Sequence, residues 1–454
     1  MIGRTESLQA LKRSYPLIIL SGIILGVFCA IIISPLLSWV SDMGHRIPQD
    51  DMYRDYSIAL AWTVILGASI YLWPTDYDDK LHLLIAWFVK CAVTLLFITF
   101  IENIYPSDSE GYFYIPREGP IFQYRLFIEG LNFDLLGSDA GSVNMFLLTW
   151  FYNQMIPDFL VNSYHSLKLT YSMIGLAGIY IFYRAFIAYT GKKNYQLFYF
   201  LALFPSILIW ESRIGKEALM CFSFSLVVWG IVSWHFKNRL KYLAAVILGF
   251  ILSIYIRIWM GPILLLPLTI YFSIRKGSIF KKTISLGFGV FIIWITFAMI
   301  MKQQNLNSFQ DVIKKIDFVT KTGALGGSAI NTGSKKDISN VEDVVTKSPQ
   351  GMYSALFRPL PWDMGGALGF FSGLEGLLLL VLFFRALYRT PLKELKDPLL
   401  LGAIAMILAW AFLYGFAIQN YGTAVRWKTQ ILPIFLGVLL YCGRDRSKDA
   451  QPIS

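Results

Sequence analysis

The sequence predicts an all-α integral membrane protein with about twelve transmembrane helices, and three observations carry that prediction. The 454 residues are 56% hydrophobic and only 15% charged, which is more apolar surface than a water-soluble chain can bury. Apolar stretches of roughly 17 to 25 residues, long enough to cross a bilayer, recur along the chain. The short loops between them are rich in lysine and arginine, which is typical of cytoplasmic loops that face anionic lipid.

The positions of the apolar stretches and of the cations fix a predicted topology. The first stretch, Tyr15 to Trp39, is too long for a signal peptide and lacks a cleavage site, so we expect it to remain as an anchor. Cations cluster before the first span and after most even-numbered spans, which predicts that both termini are cytoplasmic. The net charge of +11 therefore indicates contact with lipid, not nucleic acid. The predicted spans centre near Ile24, Thr63, Ala92, Gly178, Leu203, Leu226, Leu248, Leu266, Phe291, Leu377, Ile407 and Ile434.

The chain is predicted to be a single polytopic membrane domain, residues 1–454, with two long loops on the outer side. The first loop covers residues 102–168 and the second covers residues 302–363. Broken amphipathic patterns at 144–159 and 309–319 predict interfacial helices that lie along the membrane surface. The glycine- and serine-rich stretch 323–339 is predicted to be mobile. We expect the function to be carried out at this outer face.

One predicted helical hairpin has an unusually charged tip. Two apolar segments, 195–209 and 218–234, flank the connecting residues. Charges next to hydrocarbon cost up to roughly 3 kcal/mol each, so they are rarely without a role. The tip is predicted to form the floor of an active site; the alternative is a self-paired helix cap whose side chains reach the interface. Its charged residues are Glu211, Arg213, Lys216 and Glu217.

A second candidate follows the third predicted span, in the segment 105–119. Asp108 and Glu110 lie there among aromatic residues and prolines that could hold a carboxylate stiffly at the interface. A general base for a sugar hydroxyl needs such a carboxylate within hydrogen-bond reach. Neighbouring aromatic rings such as Tyr112 suit the apolar faces of sugars. The alternative is a solvated acidic loop beside an aromatic belt.

A third candidate is a set of outer-side cations contributed by four separate connections. Arginine forks match phosphate oxygens, so a polyprenyl phosphate or pyrophosphate with its tail in lipid would suit such a set. The same contacts would stabilise the leaving phosphate. The alternative is pairing with Glu211, Glu217 and Asp363, or with outer-leaflet lipid. The predicted lipid-phosphate ligands are Arg213, Lys216, Arg257, Arg358 and Arg426.

Other ionisable residues carry weaker signals. Lys90 lies in the middle of the third span, and an intramembrane lysine indicates a functional site by default, here a transport path. The four cysteines show no metal-binding spacing and the four histidines are scattered, so no metal site is predicted.

Three short motifs resemble the bacterial polytopic glycosyltransferases and polysaccharide polymerases of the C-type fold (GT-C). They are Asp108-Ser109-x-x-Tyr112, then Phe204-Pro205-Ser206 followed by Trp210 and Lys216-Glu217, and Phe357-Arg358-Pro359-Leu360-Pro361-Trp362-Asp363. The resemblance implies a GT-C-like fold in the bacterial inner membrane, a carboxylate in the first large outer loop and undecaprenyl-linked sugars as substrates. The predicted contacts to the sugar or acceptor are Tyr112, Glu211, Glu217 and Trp362.

The sequence departs from the usual C-type pattern because Asp108 follows the third span, where those enzymes place the carboxylate after the first. Two helices added at the front would explain the shift. Closer kinship to O-antigen and exopolysaccharide polymerases, which rely on outer-loop arginines, would explain it equally. Single-sugar transfer and repeat-unit polymerisation therefore both stay open.

The leading hypothesis is sugar transfer at the periplasmic face without a cofactor, although a divalent metal is not excluded. Asp108, or Glu110 as second choice, would be the base, and the segment 323–339 would close over the site. The expected partners are a polyprenyl-linked sugar donor, a glycan or lipid-linked acceptor, membrane lipid and other polysaccharide-assembly proteins. The alternatives are a flippase for lipid-linked oligosaccharides or another transporter, and a non-enzymatic scaffold. The absence of an internal repeat and the apolar span centres weigh against transport.

Overall fold

A computed structural model describes residues 51–104, 107–117, 140–274, 306–322, 338–418 and 420–446, with isolated positions between 26 and 49 and between 283 and 301. Every regular element in these ranges is helical. The predicted first span, most of the predicted ninth span and most of the segment 323–339 lie outside the described residues.

The helices of the first half begin at Met52. They are α1 (Met52–Ser69), α2 (Tyr77–Ala92), α3 (Ile98–Ile104), α4 (Asp108–Tyr114), α5 (Ala140–Met155), α6 (Asp158–Val161), α7 (Tyr164–Thr190), α8 (Tyr195–Ala202) and α9 (Pro205–Trp210). A π-helical turn, Val93–Phe97, joins α2 to α3, so the two form one nearly continuous rod.

The second half continues in the same way. Its helices are α10 (Lys216–Lys237), α11 (Leu240–Ile256), α12 (Met260–Ile274), α13 (Phe309–Thr322), α14 (Val341–Phe357), α15 (Gly366–Arg389), α16 (Pro398–Ala417), α17 (Tyr421–Lys428) and α18 (Leu432–Cys442). Short 3₁₀ turns lie at Ile70–Leu72, Ile115–Arg117 and Glu394–Lys396.

Six helical stretches in the described ranges are long and apolar enough to cross a membrane, so the chain is a multi-pass α-helical membrane protein. They are Met52–Leu72, Tyr77–Asn103, Tyr164–Thr190, Lys216–Lys237, Leu368–Arg389 and Pro398–Ala417. Shorter apolar helices lie at Leu240–Ile256, Met260–Tyr271 and Leu432–Cys442. Twelve spans are thus not confirmed.

The apolar segment 195–209 differs from its prediction as one continuous span. It forms two short helices, α8 and α9, separated at Leu203 and Phe204. Pro205 explains the break, because a proline disfavours helical backbone in the residue before it and donates no N–H of its own. The first arm of the predicted hairpin is therefore interrupted, whereas the second arm, α10, is continuous.

The described chain divides into two compact units. Unit one comprises residues 1–131, 142–180 and 208–218, and unit two comprises residues 132–141, 181–207 and 219–454. The predicted site residues Asp108, Glu110, Tyr112, Glu211, Arg213, Lys216 and Glu217 belong to unit one. Arg257, Arg358, Trp362 and Arg426 belong to unit two.

Polar contacts between helices fix the packing within unit one. The Tyr56 hydroxyl in α1 donates to the Leu95 carbonyl at 2.6 Å, and the Trp87 indole in α2 donates to the Thr63 carbonyl at 3.0 Å. Trp62 donates to the Thr170 hydroxyl of α7 at 2.9 Å. Apolar packing alone does not select one arrangement in lipid, whereas such interhelical hydrogen bonds do.

Close backbone contacts fix the packing within unit two. A Cβ atom added at Gly415 in α16 would lie 2.6 Å from the Gly351 carbonyl carbon in α14, which is closer than real Cβ contacts come. Small residues allow helices to approach this closely. This crossing lies about two helical turns before the end of α14 at Phe357, where the Arg358 turn begins.

Candidate functional site

Helix α4 presents its two carboxylates to the outside of unit one. The Ser107 hydroxyl caps its first turn by accepting from the Ser109 N–H at 3.2 Å. Asp108 and Glu110 are exposed, while Ser109 and Tyr112 on the opposite face are buried. The helical period separates the two faces. Both candidate bases are thus accessible on a helix whose other face is fixed.

The structure brings this carboxylate helix and the charged tip into contact. The Ser109 hydroxyl donates to the carbonyl oxygen of Ile214 at 3.1 Å. Ile214 lies between the predicted phosphate ligands Arg213 and Lys216, both of which are half-buried. Lys216 donates to the Ser142 hydroxyl at 3.1 Å. Two segments that are about a hundred residues apart in the sequence therefore meet in one region of unit one.

Arg213 and Tyr112 each pack against an aromatic ring in this region. The Arg213 guanidinium carbon lies 4.8 Å from the centre of the Trp210 ring, a distance typical of a cation–π contact. The Tyr112 ring centre lies 5.5 Å from that of Phe146 in α5. Both packing contacts restrict the orientation of these side chains.

A buried ion pair lies directly behind helix α4. Lys168 of α7 donates to Glu102 at 2.8 Å, and the Tyr164 hydroxyl donates to the same carboxylate oxygen at 3.1 Å. Glu102 is 3% exposed and Lys168 is fully buried. The Tyr164 ring also packs edge-on against Phe113 of α4, with 5.2 Å between the ring centres. The pair therefore supports the carboxylate helix from inside.

A second buried ion pair lies behind the charged tip. Lys90 donates to Glu211 at 2.6 Å, and both side chains are at most 2% exposed. Gly175 of α7 makes room for this contact, because a Cβ atom there would lie 2.6 Å from the Glu211 carboxylate. The intramembrane lysine thus has a carboxylate partner on the tip. Glu217 is also buried. A sugar contact by either glutamate stays a prediction, and the geometry of Glu211 fits a positioning role.

The third buried pair in unit one joins three helices. The His165 Nδ1 atom of α7 contacts the Asp55 carboxylate of α1, and Nε2 lies 3.0 Å from the Thr99 hydroxyl of α3. The Ser163 hydroxyl also donates to Asp55 at 2.6 Å. A neutral imidazole that donates through Nδ1 and accepts from Thr99 satisfies every one of these groups. The cluster fixes α1, α3 and α7 to one another.

Sequence reasoning missed four of the residues in these pairs: Asp55, Glu102, His165 and Lys168. The sequence predicts that Glu102 and Lys168 are the ends of the first long loop, whereas they lie in α3 and α7. One signal was available, since both residues are charged and adjoin apolar stretches long enough to span. The sequence offered no means of pairing them across sixty-six positions.

In unit two, helix α17 makes contact with the turn that carries Arg358. The Arg358 guanidinium forms two hydrogen bonds with the Asp363 carboxylate, with Nε donating at 2.8 Å. The guanidinium carbon also lies 5.4 Å from the centre of the Tyr421 ring. Lys428, two turns further along α17, donates to the Arg358 carbonyl oxygen at 2.8 Å. The pairing with Asp363 holds Arg358 in one orientation.

The same helix also contacts Arg257. This guanidinium lies 5.3 Å from the Trp427 ring and donates to the Tyr414 hydroxyl at 3.2 Å. Tyr414 in turn donates to Gln430 at 3.1 Å. Arg426 lies on α17 itself and is half-buried. The three predicted arginines of unit two are therefore organised around one eight-residue helix, which the sequence did not indicate.

The electrostatics of this cluster follow from burial and pairing. Burial raises the pKa of Asp363, but hydrogen bonds from Arg358 and from the Leu360 N–H outweigh it, so the pKa lies below its usual value. Burial lowers the pKa of Lys428 to about 8, against the opposing effect of Glu375.

Trp362 at the turn is 72% exposed, so its ring is accessible to lipid or to a sugar.

The Phe-Pro-Ser motif also enters unit two through a buried contact. The Ser206 N–H donates to Glu375 of α15 at 2.8 Å, and its hydroxyl contacts the other carboxylate oxygen. Ser206 is 5% exposed. The serine of the motif thus has a structural contact that fixes the start of α9.

No group of three or more His, Cys, Asp or Glu side chains in the described part of the chain is arranged to hold a metal ion. No protein-family model matches the chain, and neither does any curated protein or solved structure.

Proposed function

We propose that the chain is a glycosyltransferase that uses polyprenyl-phosphate- or pyrophosphate-linked sugars at the periplasmic face of the bacterial inner membrane. The observation that carries this proposal is the hydrogen bond from Ser109 to Ile214, at 3.1 Å. It joins the helix that exposes Asp108 and Glu110 to the tip that carries Arg213 and Lys216. A base and a phosphate-binding pair beside each other are what transfer from a lipid phosphate requires.

In this reaction Asp108 accepts the proton of the acceptor hydroxyl as that oxygen bonds to the anomeric carbon of the donor sugar. The bond between the anomeric carbon and the lipid phosphate breaks, and its electron pair stays on the phosphate oxygen. Arg213 and Lys216 balance the charge that develops there. Solvent then removes the proton from Asp108.

The buried pairs have a positioning role in this proposal. Lys90 with Glu211 and Lys168 with Glu102 lie behind the tip and behind α4 respectively. A catalytic carboxylate must be held within hydrogen-bond distance of its substrate, and a supporting layer of fixed contacts provides that. Arg257, Arg358 and Arg426 around α17 are proposed as further phosphate ligands in unit two.

The proposal is tested by the surface glycans of cells that carry altered copies of the gene. Asp108→Asn, and Glu110→Gln in parallel, are compared with Asp158→Asn, an exposed acidic residue in the first turn of α6. We expect Asp108→Asn to remove or shorten a surface polysaccharide at unchanged protein level, while Asp158→Asn leaves it intact. Normal glycan amount and length in both Asp108→Asn and Glu110→Gln would refute the proposal.

The alternative of transport is favoured by one observation, the two buried ion pairs and the buried His165–Asp55 contact of unit one. Intramembrane charges often mark a path for ions or substrates. Export of a lipid-linked oligosaccharide without bond formation predicts that Asp108→Asn leaves glycan length unchanged and that neutralising Glu102 stops export. The glycan length of the Asp108→Asn strain therefore separates the two functions.

A further inference from the structure

An apolar cleft in unit two is lined by none of the candidate site residues. Its cavity volume is about 80 Å³, well below the roughly 300–1,000 Å³ of drug-sized ligand sites, so only a slender ligand such as part of a hydrocarbon chain would enter it. The wall is almost entirely carbon. It is formed by parts of α7, α10, α16 and α18, including Phe182, Phe186, Val232, Ala403 and Val438.

One end of this cleft is closed by two tyrosines under an arginine. The rings of Tyr189 and Tyr441 line the cleft, with 5.0 Å between their centres. The guanidinium carbon of Arg444 lies 3.8 Å from the centre of the Tyr441 ring. Tyrosine has an apolar ring and a polar hydroxyl, so a tyrosine pair suits the boundary between lipid tails and headgroups.

Positive charge is concentrated beyond the tyrosine pair. The neighbouring segments 385–397 and 443–446 contain six cationic and three acidic residues. Arg444 and Arg446 share the single carboxylate of Glu394, at 3.0 and 2.7 Å. Arg385 donates to the Gly443 carbonyl at 2.9 Å, which draws a third guanidinium toward the same end. This end of the cleft therefore has an excess of cations.

We propose that the cleft binds one acyl chain of an anionic glycerophospholipid, with the phosphate at Arg444. Apart from the two tyrosines at its end, the wall is carbon and lacks the polar groups that recognise a sugar or nucleotide, whereas it suits a hydrocarbon chain. The cations at its end match a negatively charged headgroup, as in basic pockets at the ends of membrane helices. This site is independent of the proposed sugar transfer.

The test measures retained lipid, not activity. The full-length protein is reconstituted in bilayer discs that mix phosphatidylglycerol and phosphatidylcholine with identical acyl chains, then extracted in mild detergent, and bound lipid is counted by native mass spectrometry. We expect preferential retention of phosphatidylglycerol. Ala403→Phe, which fills the cleft, should lower that retention about tenfold or more. Leu408→Phe on the same helix, where Leu408 is 47% exposed and outside the cleft, is the matched control.

Two further variants keep the proposal falsifiable. Val232→Phe fills the cleft from α10 and replaces Ala403→Phe if that variant does not fold. Arg444→Gln should keep a bound lipid but lose the preference for phosphatidylglycerol. Equal retention of both lipids by the wild type would overturn the proposal. Undiminished retention in a folded cleft-filling variant would overturn it as well.

Discussion

The buried pair between Lys90 and Glu211 leads to a quantitative prediction about stability. The atoms are 2.6 Å apart, and the side chains are 2% and 1% exposed. Lys90→Met would leave the Glu211 carboxylate buried without its cation. Breaking a buried pair in this way costs about 3–5 kcal/mol, because the remaining charge loses its partner but not its burial. Glu211→Gln should cost a similar amount by leaving the ammonium group uncompensated.

The double variant distinguishes pairing from a general loss of packing. If the two residues stabilise each other, Lys90→Met/Glu211→Gln should be less destabilised than the sum of the single variants. The difference should be about 2 kcal/mol or more, as expected for residues in direct contact. Lys393→Met, which removes an exposed lysine, is the matched control and should change stability by no more than about 0.5 kcal/mol.

The three cysteines in the described part of the chain are buried and provide the assay. Cys91, Cys221 and Cys442 are shielded in the folded chain, so a fluorogenic thiol reagent reports unfolding in detergent as temperature rises. Each kcal/mol should lower the midpoint by about 2 °C in a large chain. A Lys90→Met variant that melts at the same temperature as the wild type would refute the reasoning. A double variant whose loss equals the sum of the two single losses would refute it as well.

Two further predictions use the same melting assay. Gly175→Ala should destabilise by about 1–3 kcal/mol, because its new methyl group would lie 2.6 Å from the Glu211 carboxylate. Gly111→Ala is the control, because the nearest atom to its new methyl group would be 3.8 Å away, and it should be neutral or slightly stabilising. Equal losses of stability in the Gly175 and Gly111 variants would contradict the expectation. Hydrogen bonds from Arg446 lower the pKa of Glu394 to about 2, whereas the pKa of a glutamate in the unfolded chain is near 4.3. The ionised carboxylate of Glu394 therefore stabilises the folded chain above about pH 5, and this stabilisation disappears as the pH falls toward 2. The midpoint difference between wild type and Glu394→Gln should therefore shrink between pH 6 and pH 3, and a constant difference would contradict this.

The membrane class and the helical architecture could be predicted from the sequence because they depend on composition and on the length of apolar stretches. At Pro205 a prediction based on composition and apolar length fails. Hydropathy averages over a window and does not register the break that one proline imposes on 195–209. The number of spans was therefore harder to predict than the class.

The candidate site could likewise be predicted from the sequence only in part. Asp108, Arg213 and Lys216 could be selected because charges beside apolar segments stand out in one dimension. The buried residues that support them could not be selected in this way. The partner of Glu102 lies sixty-six positions away in the sequence, and the partner of Lys90 lies 121 positions away. Helix α17 was also missed as a common contact for Arg257 and Arg358, since its own sequence carries no signal for such pairing. Tertiary contacts of this kind can be identified only from a three-dimensional structure.

The central claim is that Asp108 acts as the base in transfer from a lipid phosphate. Its most direct test is transfer of radiolabelled sugar from undecaprenyl-phosphate-linked donors by the purified protein, with an acceptor fraction from the native membrane. We predict turnover by the wild type and by Asp158→Asn, and a loss of about 10²–10⁴-fold in Asp108→Asn. Full turnover by Asp108→Asn, or no transfer by the folded wild type from any such donor, would contradict the claim.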